Sequence, residues 1–144
     1  MTTRRSGFSF IEILVVVAII SILATTVGLS VYKWIEKANV TKARNQIGIF
    51  STALQMYNTD NARFPSEAQG LAALCTPPAI PPEAKNYQEG GYINSLAVPN
   101  DPWGNEYVYT VPGPGGKPFE IVSYGRDGEP GGEGVDADIS SLDL

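Results

Sequence analysis

The feature that most constrains this chain is the run Ile13–Leu29 (ILVVVAIISILATTVGL), which carries no charge and few polar side chains. As an α-helix its 17 residues span about 26 Å. That is close to the roughly 30 Å hydrocarbon thickness of a bilayer. Arg4 and Arg5 precede the run, so the positive-inside rule places the N-terminus in the cytoplasm, although Lys33 and Lys37 follow on the other side. A secretory signal peptide also begins with positive charge and an apolar core. Here the apolar run is longer than such a core, and Ala24-Thr25-Thr26-Val27-Gly28 is no small-x-small cleavage site. A plain signal-anchor helix is the simplest reading of the hydropathy alone.

Composition narrows the chemistry. Among 144 residues there is no His, which excludes a Ser/His/Asp or Cys/His catalytic set and a His-ligated zinc site. A single Cys excludes an internal disulfide and any CxxC motif. A net charge of −5 argues against nucleic acid as a partner. The charge is also divided: residues 1–44 are mostly basic, and residues 119–144 mostly acidic. The acidic end asks for a cation and the basic start for a membrane surface.

Glu12 breaks the signal-anchor reading. A carboxylate entering hydrocarbon is costly unless paired, and intramembrane acids are generally functional. Residues 8–16 (FSFIEILVV) contain no Lys or Arg to pair with it. A free α-amine, with a reference pKa of about 8, is a suitable partner. Cleavage between Gly7 and Phe8 would create one. The segment Arg4-Arg5-Ser6-Gly7-Phe8-Ser9-Phe10-Ile11-Glu12 resembles the class III leader and processing site of type IV pilins and pseudopilins. The resemblance implies that a prepilin peptidase cuts after Gly7 and methylates Phe8. It also implies that Glu12, fifth in the mature chain, pairs with a neighbouring subunit's N-terminal amine during filament assembly.

No Pro occurs between Met1 and Arg63, so nothing forces the helix to stop at the membrane. Val40, Ala43, Ile47, Phe50, Leu54 and Tyr57 recur at spacings of three and four, one apolar stripe on an amphipathic helix. Arg63-Phe64-Pro65 ends it. Beyond lie an expected short helix, Glu67–Cys75, capped by Ser66, and a proline-rich loop, Thr76–Glu83. A type I turn follows at Asp101-Pro102-Trp103-Gly104. The runs Glu106–Val111 and Phe119–Tyr124, joined by Pro112–Pro118, predict a β-hairpin with a long turn. Cys75 reads as a small buried hydrophobe.

The segment Tyr124–Leu144 is glycine-rich and acidic. Asp136-x-Asp138-x-Ser140 begins like an EF-hand, but no Gly stands at position 141 and the sequence ends before a twelfth-position Glu. A solvated acidic tail and an oxygen-lined cation loop both fit this composition. Gly70-Leu71, Asp101-Pro102-Trp103-Gly104, Ser123-x-Gly125-x-Asp127-Gly128, Gly131-Gly132-Glu133 and Asp138-Ile139 are similar to the major pseudopilins of type II secretion systems over nearly the whole chain. That resemblance implies Ca²⁺ in this loop. Asp127, Asp138 and Ser140 would give side-chain oxygens, and Tyr124 and Asp136 would give carbonyls. Ca²⁺ would then take the place of the disulfide that closes this region in most type IVa pilins.

The expected fold class is α+β, with a long N-terminal helix packed on a small antiparallel sheet, as in pilins. Its parts are a leader (1–7), a transmembrane helix (8–31), an amphipathic stem (32–62) and a head (63–144). The resemblance implies a non-enzymatic subunit of the secretion pseudopilus in the inner membrane with its head in the periplasm. Its partners would be further copies of itself, prepilin peptidase, minor pseudopilins and the inner-membrane assembly platform. A type IV pilin or minor pseudopilin acting in adhesion or DNA uptake is the alternative. It would form long surface fibres.

Overall fold

The computed structural model describes residues 7–144, leaving out the side chains of residues 26–30. It divides into two compact units, Met1–Glu36 and Lys37–Leu144. One helix, α1 (Phe10–Asn61), contributes to both.

In the first unit the large apolar side chains of α1 from Phe10 to Leu23 are all exposed. Two of its described hydroxyls bond back into the helix: Ser21 Oγ donates to the Val17 carbonyl (2.8 Å) and Thr25 Oγ1 to that of Ser21 (2.9 Å). Polar groups satisfied in this way do not require water.

In the second unit the expected stripe forms the core. Ala43, Ile47, Phe50, Leu54 and Tyr57 are buried, and Val40 packs against them half-buried. The helix ends where Ala62 takes a left-handed backbone (φ 57°), ahead of Pro65.

The sheet has three antiparallel strands in the order β1 (Val108–Thr110), β2 (Glu120–Ser123), β3 (Ile139–Ser140). Tyr109 pairs with Ile121, and Ser123 with Ile139. Alternation along β2 sends Ile121 and Ser123 into the interior. The Phe50 ring meets Tyr107 edge-on at 5.2 Å, and the Tyr107 hydroxyl donates to Gln46 Oε1 at 2.7 Å. These contacts fasten the sheet region to α1. The hairpin lies where it was expected, with shorter strands; β3 was not foreseen.

The expected helix over Glu67–Cys75 does not form. Ser66 does cap: its Oγ accepts from the Gln69 N–H (3.3 Å), and Gln69 Oε1 accepts from the Ser66 N–H (3.0 Å). Gly70 then turns left-handed (φ 59°), and only a 3₁₀ turn, Leu71–Leu74, follows. Cys75 is buried and free, as its sequence context suggested.

Tyr87 packs against Tyr57 and Tyr92, its hydroxyl buried with no hydrogen-bond partner among the described residues. Burial, followed by the neighbouring Cys75, Tyr92 and Tyr57, pushes its pKa from 10 to about 12. The unfolded phenol ionises first as pH rises, so stability present below pH 10 is lost progressively up to about pH 12. Tyr87→Phe should therefore be as stable as the parent or up to about 1 kcal/mol more so at neutral pH. Its unfolding free energy should also fall less between those pH values. Urea titrations at pH 7, 10 and 11 measure both effects, and identical pH slopes would refute the assignment.

Candidate functional site: the processing end and the C-terminal loop

At the N-terminal end, Gly7 and Phe8 precede the helix in non-helical backbone, and Phe8 is 78% exposed. The Gly7–Phe8 bond thus lies outside regular structure, and among the described residues nothing would meet a Cβ placed on Gly7 within 4 Å. Arg4, Arg5 and the remainder of the expected leader lie outside the described residues. The Ser9 carbonyl accepts from the N–H groups of Glu12 (3.1 Å) and Ile13 (3.3 Å). In return the Ser9 N–H donates to Glu12 Oε2 at 3.4 Å. The carboxylate therefore folds back over the first helical turn, where the helix dipole favours negative charge. A long bond at an exposed end is weak and leaves Glu12 free to accept a better donor.

Large apolar side chains from Phe8 to Leu23 are 47–84% exposed. Among the described residues no helix is long and apolar enough to cross a membrane. The expected membrane span, 8–31, includes residues 26–30, whose side chains lie outside the described residues.

The C-terminal loop springs from a buried polar knot. Asp101 Oδ1 accepts from the Trp103 and Asn105 N–H groups (3.0 and 2.8 Å), and Oδ2 accepts from the Ser123 hydroxyl at 2.6 Å. The Gly125 N–H donates to Ser123 Oγ, while Asn105 Nδ2 donates to the Gly125 carbonyl. Asp101 is 5% exposed and Ser123 fully buried. Burial, then the Asp101 charge, pushes the Tyr107 phenol up. Gly125 has φ 66°, and a Cβ there would meet backbone atoms of residues 135–137 at 2.9–3.0 Å. Glycine is thus required where the loop crosses itself.

Within the loop the expected cation ligands have separate engagements. Arg126 forms a two-point ion pair with Asp136 (Nε–Oδ1 2.9 Å, Nη2–Oδ2 3.1 Å). The Gly131 N–H donates to both Asp138 oxygens (3.0 Å each). Asp127 Oδ1 accepts from the Glu129 N–H (3.2 Å). Ser140 Oγ donates to Glu120 Oε1 (2.7 Å) and accepts from the Leu142 N–H. Tyr124 begins the segment, half-buried. Among the described residues no three acidic, Cys or His side chains gather as metal ligands. Asp101, which anchors the loop, was read from sequence only as a turn residue. Its burial depends on Ser123, 22 positions away.

Residues 30–142 match the family described as "Type II secretion system (T2SS), protein G", and residues 2–28 match the "Prokaryotic N-terminal methylation motif". The chain belongs to the type II secretion system protein G family. It is 46% identical to the "Type II secretion system core protein G" of Pseudomonas aeruginosa, over 97% of this chain and 96% of that one. It is 44% identical to the Vibrio cholerae protein of the same description, over 98% and 94%. The crystal structure of the major pseudopilin from the type 2 secretion system of enterohaemorrhagic Escherichia coli superposes with a TM-score of 0.64 at 38% identity. It covers 75% of this chain and 90% of that one. In this protein G family member, Gly7, Phe8 and Glu12 fall inside the methylation motif, and the acidic loop inside the family match.

Proposed function

We propose that the chain is the structural subunit of the type II secretion pseudopilus. In this reading prepilin peptidase cuts between Gly7 and Phe8 and methylates Phe8. The subunit waits as a single-pass inner-membrane protein with its head in the periplasm. It then leaves the bilayer for a helical homopolymer whose growth drives export across the outer membrane. Minor pseudopilins and the inner-membrane assembly platform are its partners, and its role is mechanical, not catalytic. The observation that carries this reading is the N-terminal stretch from Phe8 to Leu23, at least 47% exposed at each large apolar residue. Such a surface demands cover, by lipid before assembly and by neighbouring helices after it. Nothing on the chain favours the adhesion or DNA-uptake alternative. Mass spectrometry of protein purified from its own envelope tests the reading: the mature chain should begin at Phe8 with one added methyl group. A chain retaining residues 1–7 would overturn it.

We also infer that the C-terminal loop takes Ca²⁺ through Asp127, Asp138 and Ser140, with the Tyr124 and Asp136 carbonyls. The donor chemistry suits a hard cation, being oxygen throughout. Asp127 accepts from the Glu129 N–H and Asp138 from the Gly131 N–H, bonds to backbone donors that leave further carboxylate lone pairs for a metal. Because the acids stand apart, binding has to draw them together and thereby order the loop.

A further inference from the structure

A cavity of about 350 Å³ opens in the head between the 3₁₀ turn and β1. Leu71 and Val98 supply apolar wall, Tyr107 and Tyr109 supply rings, and Glu67 and Glu106 supply carboxylates. Both phenolic protons are spent inside the protein: Tyr107 donates to Gln46 Oε1, and Tyr109 to the Pro65 carbonyl at 2.9 Å. Glu67 accepts one bond, from the Val111 N–H at 3.2 Å. Neither carboxylate has a cationic partner among the described residues. The cavity is thus rich in acceptors and negative, with apolar walls, and suits an aliphatic stem ending in an ammonium group.

The same chain carries the complement. Lys33 and Lys37 are exposed on α1, four residues apart and so on one helix face. We propose that this cavity is the docking site for a second copy of the chain, which inserts Lys33 and Lys37 from its stem toward Glu67 and Glu106. Two different surfaces of one chain that fit each other make a heterologous contact. Such a contact repeats into an open helical polymer instead of closing into a dimer. The inference rests on the pseudopilus reading and assigns its polymer a head-to-stem contact separate from Glu12.

The test uses the full-length chain expressed with its secretion machinery, with sheared filaments quantified by electron microscopy. The paired reversal Glu67→Lys/Glu106→Lys should lower filament yield about tenfold or more. Lys33→Glu/Lys37→Glu should do the same, and combining all four should restore most of the yield. In a Cys75→Ser background, Lys37→Cys with Glu106→Cys should give disulfide-linked ladders in filaments. Failure of the four-fold variant to recover, or filaments that give no ladder, overturns the contact while leaving the pseudopilus reading intact. If the cavity reversal alone impairs assembly and the lysine reversal does not, the occupant is another cation and the proposal is wrong. If the unmodified chain never polymerises, the pseudopilus reading fails and the contact fails with it.

Discussion

Glu12→Ala should leave the head folded and abolish filament growth. Among the described residues the head's buried core, from Ala43 to Ile139, includes none of the first unit, so its melting temperature should not move. Assembly is a different matter. In the proposed filament core, the mature Phe8 amine would be a cation among apolar helices. Removing the acid that answers it leaves a buried charge alone, at a cost of about 3–5 kcal/mol. At 1.4 kcal/mol per factor of ten, subunit addition weakens by roughly 10² to 10⁴. Glu12→Gln separates two roles. The amide can still accept from the Ser9 N–H, as Oε2 does at 3.4 Å, and so preserves the first helical turn. It cannot neutralise the amine. Filaments from Glu12→Gln would mean that local capping is what matters, and filaments from Glu12→Ala would remove the charge-pair argument altogether. Fractionation should find both variants in the envelope, since neither adds a charge to α1.

The N-terminal methylation motif and the long helix are legible because their signals are local. The stripe from Val40 to Tyr57 shows its period within five turns. The spacing of Gly7, Phe8 and Glu12 fits in six residues. What stayed hidden depends on partners distant in sequence or on single dihedrals. β3 has two residues, too few to show alternation, and exists because Ser123 and Val122 offer a free edge to Ile139 and Ser140. The helix expected over Glu67–Cys75 had a sound cap and apolar spacing. One left-handed glycine, Gly70, outweighed both. Asp101 followed the turn rule for its own four residues. Its larger role is to hold Ser123, and through it Gly125, and that role appears only when the turn lies beside β2. The carboxylates of Glu67 and Glu106 stand 39 positions apart, so no sequence window sees their shared cavity.

Calcium should stabilise the head by an amount that Asp127 controls. A ligand that binds only the folded chain adds RT ln(1 + [L]/Kd), about 2.7 kcal/mol when free calcium is 100 times its Kd. For a domain of this size that corresponds to a rise in Tm of roughly 10 °C. A chelator should reverse it. Without metal, Asp127→Ala should melt close to the parent, because the exposed carboxylate makes one local bond, to the Glu129 N–H. With calcium, the variant should gain little, since a lost anionic ligand cannot be replaced by the Arg126-bound carboxylate of Asp136. Asp143→Ala, outside the ligand set, should keep the whole increment. Magnesium should also fail to reproduce it, because that ion demands octahedral geometry at short distances, which a glycine-rich loop of carbonyls and two Asp carboxylates does not enforce. The polar knot would prepare the glycine-rich loop for the proposed cation. Gly125 is pinned on both sides, its N–H to Ser123 and its carbonyl to Asn105. One end of the loop is therefore ordered without any metal, and β3 holds the other at Ile139. Only the segment between has to close, which limits the entropy lost on binding. A melting curve indifferent to calcium and chelator, or an Asp127→Ala protein that responds as fully as the parent, would show that the acidic loop is solvated surface instead.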